Sequence, residues 1–255
     1  MPTPSGAANE PTVTTAVQSA GRHHYPAPAQ GGSEVTQYRL REPQRGPTLL
    51  ADEFWLICHD DRDGKPRLND LAIRFGLAAA LLGELAVASR ITFERGHVIV
   101  YDATPPVDPL QHFALNLLVK EEATQTRDWL IYFAESAYGR VAERLHQAHR
   151  VTPEERRRFL GVLGAPTTLW KPVDTNDAGW SWLRLHRALR NFEPLDNFDL
   201  ALVGFADATG LAKFIVDGYP SAGRHLQALL EAAPPPMRDL LDELSAAIGA
   251  AVLAP

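Results

Sequence analysis

Arginine side chains are the residues of this sequence best suited to chemistry, and that chemistry is anion binding. Arginine outnumbers lysine by 21 to 4. Residues 140–190 contain ten Arg or Lys and five Asp or Glu, although the whole chain has a net charge of −6. A basic stretch on an acidic protein predicts a local anion site, because guanidinium groups present forked donors that match phosphate oxygens. The alternative is a scattered set of solvated arginines.

Residues for catalysis or metal binding do not form a recognisable set in this sequence. It contains no nucleophile elbow, P-loop, dinucleotide-binding glycine pattern, zinc-ligand spacing or His-Glu-x-x-His motif. The segment Asp60–Gly64 resembles a calcium loop, but Pro66 stands where the essential glycine belongs if Asp61 is the first ligand. We therefore expect a tight turn at Asp63-Gly64, no metal, no cofactor and no catalytic activity.

A β-hairpin is predicted between residues 156 and 171, where three arginines precede a run of apolar residues. Tryptophan suits the interfacial layer of a bilayer, and an apolar tip beside cations suits peripheral insertion. The alternative is a hairpin that folds onto its own core or onto a sister subunit. The residues assigned to this membrane or partner hairpin are Arg157, Arg158, Phe159, Leu160, Leu169, Trp170 and Lys171.

The scaffold for these side chains is expected to surround one apolar helix. Between Arg74 and Arg90 the only charged residue is Glu84. A membrane span needs about 20 predominantly apolar residues, and an acidic side chain near the bilayer centre is unfavourable. We therefore predict a helix buried in a protein core. Glu84 then requires a partner, since an unpaired buried carboxylate is destabilising.

The remaining segments predict a mainly α-helical single domain at residues 48–255 with two β-hairpins. Residues 90–101 alternate around Arg95-Gly96 and form the first hairpin. Residues 1–47 lack hydrophobic periodicity and are rich in Pro, Gly, Ser and Thr, which predicts a disordered tail. Further helices are predicted from 109 to 122, from 126 onward, and at 138–149, 177–191, 196–217, 221–232 and 236–252.

Composition limits the compartment and the partners. The single cysteine, Cys58, excludes an internal disulfide and fits a reducing compartment. The N-terminus shows no secretory signal, so we expect a cytoplasmic protein that can associate with the inner face of a membrane. The net negative charge argues against nucleic acid as a partner.

Several short motifs occur in a characteristic order between Leu49 and Val252. Their order and spacing resemble the Golgi phosphoprotein 3 family, phosphoinositide-binding peripheral proteins of the Golgi with bacterial members. The resemblance implies a helical core, a shallow basic pocket for phosphatidylinositol 4-phosphate and a hairpin whose apolar tip enters the bilayer. The motifs are Asp61-Arg-Asp-Gly64, Asn69-Asp70, Gly76-Leu77, Glu84-Leu85-Ala86, Asp102-Ala103, Val119-Lys-Glu121, Trp129, Glu143-Arg-Leu145, Val151-Thr152 and Ala201-Leu202.

The headgroup pocket implied by this resemblance is substituted in this chain. The positions of one tryptophan and three arginines in the eukaryotic members hold Leu68, Ala78, Gly139 and Ala142. Each lost arginine removes charge-assisted hydrogen bonds worth about 1.5–3 kcal/mol. Tight recognition of that particular headgroup is therefore not expected.

Four arginines lie next to these substituted positions, or one turn away from them, and could replace the lost site. We predict that they form a wider anion site; they are Arg67, Arg74, Arg140 and Arg144. The alternative is that Arg144 pairs with a carboxylate such as Glu84 or Glu143 and binds no ligand.

A non-enzymatic peripheral membrane protein that binds anionic phospholipid is the leading functional prediction. Specificity for phosphatidylinositol 4-phosphate is implied by the resemblance alone. The alternative is a soluble adaptor that binds protein clients, or a second copy of itself, through the hairpin and the basic face.

Overall fold

The computed structural model describes residues 48–121, 123–156 and 167–253 of this chain. These residues form ten helices and two two-stranded antiparallel sheets, so the predicted mainly α-helical class is confirmed. The predicted disordered tail, residues 1–47, lies outside the described residues. The elements in chain order are α1 (Leu50–Ile57), α2 (Asp70–Val87), β1 (Ile91–Glu94), β2 (His97–Val100), α3 (Pro109–Lys120), α4 (Thr126–Ala134), α5 (Ala137–Gln147), β3 (Val151–Arg156), β4 (Thr167–Pro172), α6 (Thr175–Arg190), α7 (Asn197–Ala208), α8 (Ala212–Ile215), α9 (Pro220–Glu231) and α10 (Pro235–Leu253).

Helix α2 lies at the centre of the core. Its first turn is capped by Asn69, whose side chain accepts a hydrogen bond of 2.9 Å from the backbone N–H of Ala72. Every residue from Phe75 to Leu85 is buried, and α2 packs against α1, α3, α4, α5, α7 and α10. The apolar sequence is thus covered by protein on all sides, as predicted. Among the described residues, no helix combines the length and the hydropathy that a membrane span requires.

The first hairpin forms where the sequence predicts it. Strands β1 and β2 pair from Ile91 with Val100 to Glu94 with His97. The turn residues Arg95 and Gly96 have φ values of 54° and 76°. Both are in the left-handed region, and a two-residue turn of this kind matches the twist of an antiparallel pair.

The second hairpin begins earlier in the chain than predicted. Strand β3 pairs with β4 from Val151 with Pro172 to Arg156 with Thr167. Residues 151–155 are strand, so the predicted start of the hairpin at residue 156 is wrong. A two-stranded sheet has only edge strands, which tolerate Pro153 and exposed acidic side chains because half of their backbone groups face solvent. The segment between the strands, residues 157–166, lies outside the described residues.

The predicted helix at 196–217 is two helices, α7 and α8. Gly210 has φ of 79°, and its N–H donates to the carbonyl oxygen of Asp207 at 2.9 Å. The N–H of Leu211 donates to the carbonyl oxygen of Ala206 at 2.7 Å. A left-handed glycine that closes the last turn in this way ends a helix, which the apolar periodicity alone does not reveal.

Candidate functional site

A surface cavity of about 340 Å³ opens between the first turn of α3 and one face of α5. Two of the four predicted arginines, Arg140 and Arg144, line it. Its wall is partly apolar and carries two carboxylates. The other lining residues are Asp108, Pro109, Leu110, Phe113, Gly139, Glu143 and Gln147.

Arg144 is the centre of a buried ion-pair network and is not a free cation. Its Nη2 lies 2.7 Å from Oδ1 of Asp52 and 2.8 Å from Oε1 of Glu84. Its Nη1 donates to Oε2 of Glu84 and to Oδ1 of Asp108, each at 3.1 Å. Asp108 also caps α3 by accepting from the N–H groups of Leu110 and Gln111. Arg144 thereby joins α5 to α1, α2 and the start of α3.

Glu84, the one charged residue of α2 beyond Arg74, has the partners that its burial requires. Its side chain is 1% exposed. Besides the two bonds from Arg144, it accepts hydrogen bonds from the backbone N–H of Ala51 at 2.8 Å and from Nε2 of Gln111 at 3.2 Å. The pairing of Arg144 with Glu84, which the sequence left as an alternative to anion binding, is present in the structure.

The network has an unusual charge balance, since one guanidinium contacts three carboxylates. Burial disfavours the charged form of Arg144, but the carboxylates of Glu84, Asp52 and Asp108 outweigh burial and raise the pKa of the guanidinium. Burial raises the pKa of Asp52 to about 7, although the Arg144 guanidinium opposes this shift. Asp52 therefore titrates near neutral pH in the folded protein.

This shift predicts a pH dependence of stability. In the unfolded chain Asp52 loses its proton near pH 4, whereas the folded protein holds the proton until about pH 7. Between these values the folded state binds more protons, so stability falls as pH rises, by at most about 1.4 kcal/mol per pH unit from this group. Its contribution is complete below pH 4 and lost above pH 7. Urea unfolding of wild type and Asp52→Asn across this range should show that the variant lacks this downward component. Parallel pH profiles for the two proteins would contradict the assignment.

Arg140 differs from Arg144 in having no carboxylate partner among the described residues. Its guanidinium lies over the Phe113 ring, 4.0 Å from the centroid, and its Nε donates to Oγ of Ser136 at 3.2 Å. The side chain is exposed at the cavity. Stacking on the ring fixes the guanidinium plane and leaves the two Nη groups available as donors.

The other two predicted arginines are engaged elsewhere. The Arg67 guanidinium lies 4.7 Å from the centre of the Trp182 ring, and its Nη2 is 3.3 Å from Oδ1 of Asp61. Arg74 forms an ion pair of 3.0 Å with Asp70 one turn earlier on α2. Only Arg140 and Arg144 share a cavity, so the predicted convergence of four arginines is not observed. Arg67 and Arg74 instead each form an ion pair with a carboxylate close to them in the chain.

The four family pocket positions are not arranged as an anion site in this chain. Ala78 on α2 and Ala142 on α5 are 0% exposed and belong to the hydrophobic core. Leu68 is partly buried against the same core. Gly139 alone lies at the cavity, where an added Cβ would have nothing within 4 Å. Of the four positions, Gly139 is therefore the one that adjoins the cavity, directly before Arg140.

The described part of the β3–β4 hairpin lies against the protein. The Trp170 ring is 5.8 Å from the His146 ring and packs on the core, and Leu169 is half-buried. Lys171 forms an ion pair with Glu154 on the paired strand. Arg157, Arg158, Phe159 and Leu160 lie outside the described residues. The role of these residues as a membrane or partner hairpin therefore stays a prediction.

A second buried arginine network escaped the sequence analysis. Nη2 of Arg150 donates to Oε1 of Glu53 at 2.9 Å, and Nε donates to Oδ2 of Asp177 at 2.8 Å. Ser181 donates its hydroxyl to the other Glu53 oxygen. Burial disfavours the Arg150 cation, but the carboxylates outweigh burial and raise its pKa. The sequence contains an indication of this network, because the carboxylate Glu53 stands within the apolar segment Leu50–Ile57 just as Glu84 stands within α2.

A buried aromatic cluster was missed as well. Trp55 and His59 stack with ring centroids 3.8 Å apart, and the Tyr138 hydroxyl lies 3.3 Å from Nε2 of His59. Burial lowers the pKa of His59 to about 4, so this imidazole is neutral at physiological pH. Tyr138 lies in the first turn of α5, directly before Gly139, and its ring centroid is 6.1 Å from that of Trp55 on α1. Aromatic packing therefore anchors the start of α5 to α1.

The described residues thus form a helical domain around one buried, ion-paired apolar helix, with a surface cavity at α5. A search of the curated proteins finds no match to the chain. The family model described as Golgi phosphoprotein 3 (GPP34) matches residues 50–244. The chain belongs to the Golgi phosphoprotein 3 family.

Proposed function

We propose that this protein is a non-enzymatic peripheral membrane protein that binds the phosphate of anionic phospholipids. The observation that carries the proposal is the state of Arg140. Its exposed guanidinium lies at a cavity of about 340 Å³ and has no carboxylate partner among the described residues. A stacked guanidinium with free Nη groups suits the binding of a phosphate oxygen pair.

The substituted pocket positions guide the choice of lipid. Ala78 and Ala142 are buried, and neither they nor Leu68 supplies a donor to a headgroup. One arginine in place of three does not distinguish a phosphoinositide from other anionic lipids. We therefore propose that the protein binds anionic phospholipids in general and is not specific for phosphatidylinositol 4-phosphate.

A second contact is needed, because a single exposed ion pair contributes only about 0–1 kcal/mol. We assign it to residues 157–166, whose sequence begins Arg157-Arg-Phe-Leu160 and is carried by β3 and β4. Cations beside an apolar tip combine electrostatic attraction with burial of apolar surface in the headgroup region. Membrane affinity would then come from two modest contributions.

Replacing Arg140 by glutamine should weaken binding to vesicles that contain phosphatidylglycerol by up to about fivefold, because an exposed charged contact of at most about 1 kcal/mol is lost. Co-sedimentation with phosphatidylglycerol–phosphatidylcholine vesicles measures this change. Arg95→Gln is the matched control, since it removes the same charge from a side chain that is 91% exposed on the β1–β2 turn. Equal effects of the two substitutions would show that net charge, and not the cavity, determines binding. Absence of wild-type binding would refute the proposal.

The soluble adaptor is the second candidate, because the packing of Trp170 and the pairing of Lys171 with Glu154 occupy two side chains that were expected to contact a membrane. It predicts that a Phe159→Ser, Leu160→Ser double variant loses binding to a protein client or self-association. Vesicle binding would be at background for wild type and variant alike. A loss of vesicle binding in the double variant favours the membrane proposal instead.

A further inference from the structure

The cavity at α5 holds charges of both signs that do not neutralise each other. Arg140 and Glu143 line it one turn apart, and among the described residues no ion pair joins them. The remaining charged residues of the cavity, Asp108 and Arg144, are already bonded to each other. One cation and one anion are therefore left to face a ligand.

Each of these two side chains is held by a neutral neighbour. Arg140 is positioned by the Phe113 ring and by Ser136. The Glu143 carboxylate accepts a hydrogen bond of 3.1 Å from Nε2 of Gln147, which leaves the Gln147 carbonyl oxygen as a further acceptor. The cavity thus presents guanidinium donors at one end and carboxylate and amide acceptors one turn further along α5.

The spacing defines the chemistry of a matching ligand. Side chains three residues apart on a helix have Cβ atoms about 5–6 Å apart. A phosphate joined to an ammonium through an ester oxygen and two methylene groups is short enough to contact two side chains that leave one helix face this close together. Pro109, Leu110 and Phe113 supply an apolar wall against which such methylene groups can lie.

We infer that this cavity binds a phosphoethanolamine group, with the phosphate on Arg140 and the primary ammonium on Glu143 and Gln147. The inference rests on the proposed function, because the phosphate contact at Arg140 is the same. It deepens that function by adding that, within an anionic membrane, the cavity prefers a zwitterionic headgroup with a primary amine. The group can come from a lipid such as phosphatidylethanolamine or from a soluble glycerophosphoethanolamine.

The same geometry disfavours related headgroups. A choline ammonium has no N–H to donate to Glu143 or Gln147. A phosphoglycerol carries no cation, so the Glu143 carboxylate would repel its phosphate and remain without a counterion. Selectivity for a primary amine is therefore expected to depend on Glu143, whereas general attraction to phosphate depends on Arg140.

Co-sedimentation with vesicles of phosphatidylglycerol and phosphatidylcholine, with and without phosphatidylethanolamine, tests the inference. Exchange of phosphatidylcholine for phosphatidylethanolamine should strengthen wild-type binding about three- to tenfold, the range expected for a partly exposed charged contact. Glu143→Gln should abolish this gain while it retains, or increases, binding to the anionic vesicles. Glu121→Gln, an exposed carboxylate at the far end of α3, should behave as wild type.

The outcomes separate the two proposals. Anionic-vesicle binding without any gain from phosphatidylethanolamine, or a gain that survives in Glu143→Gln, overturns the inference and leaves the proposed function intact. No binding to any vesicle overturns both as membrane proposals.

Titration with glycerophosphoethanolamine and glycerophosphocholine, followed by NMR, identifies whether the phosphoethanolamine group comes from a lipid or from a soluble compound. If the protein binds glycerophosphoethanolamine more tightly than glycerophosphocholine, the headgroup alone suffices. If it does not distinguish these compounds but still binds vesicles more tightly when they contain phosphatidylethanolamine, the site requires the lipid.

Discussion

Replacing Arg144 by methionine is expected to lower the free energy of unfolding by about 3–5 kcal/mol, the usual effect of removing one partner from a buried ion pair. The side chains of Glu84 and Asp52 are only 1% and 8% exposed, so both carboxylates would be left in the core without their counterion. The cap of α3 would also lose its link to α5, because Arg144 donates to Asp108. Urea unfolding followed by circular dichroism measures the change as a lower midpoint.

Two further variants make this prediction specific. Arg74→Met removes an arginine whose side chain is 39% exposed and pairs with Asp70, so its effect should be about 0–1 kcal/mol. Adding Asp52→Asn and Glu84→Gln to Arg144→Met should restore much of the lost stability, because the uncompensated charges are then removed. An Arg144→Met variant as stable as Arg74→Met would show that the network does not hold the four elements together.

Replacing Gly64 by alanine should destabilise the protein by about 2–5 kcal/mol, from left-handed backbone strain and overpacking together. Gly64 has φ of 70°, and its N–H donates to the carbonyl oxygen of Asp60 at 2.9 Å. A Cβ atom here would overlap the carbonyl oxygen of Trp170 and lie 3.2 Å from Cα of Lys171. Since the obstacle is backbone, it can be relieved only by moving β4 away from the turn.

Hydrogen exchange and urea unfolding distinguish the two causes. Gly210→Ala is the matched control, because Gly210 also has a positive φ, of 79°, but has open space where a Cβ would stand. The control should show the backbone effect alone, about 1–2 kcal/mol. Gly64→Ala should in addition increase amide exchange in β3 and β4. Unchanged exchange in these strands would mean that the Gly64 turn does not seat the hairpin.

Arg144 and Gly64 matter for function because each positions an element of the proposed membrane surface. Arg144 holds α5, which carries Arg140 and Glu143, against α1, α2 and α3. Gly64 allows the Asp60–Gly64 turn to lie against β4, which carries Trp170 and Lys171. Loss of vesicle binding in either variant would follow from displaced supports, and so the Arg140 and Glu143 substitutions are the direct tests of ligand contact.

The elements that could be predicted from sequence are those governed by local chemistry. The β1–β2 hairpin follows from alternation around Arg95-Gly96, a dipeptide that can adopt the left-handed turn. The burial of α2 follows from its apolar composition, which water would penalise on any face. The start of β3 was not predictable in this way, because Thr152 to Glu155 are exposed and carry no apolar periodicity.

The burial of α2, the need of Glu84 for a partner and a supply of arginines that could bind an anion all follow from the amino-acid sequence. Which arginine pairs with Glu84 and which lines the cavity follows from the packing of the helices. Arg144 is bonded to Asp52, Glu84 and Asp108, which lie 92, 60 and 36 residues away in the chain, whereas Arg140, four residues earlier, faces a cavity. The reason is physical: a guanidinium is structural or available according to the carboxylates that other elements bring within hydrogen-bond distance, and that proximity is a property of the packed fold.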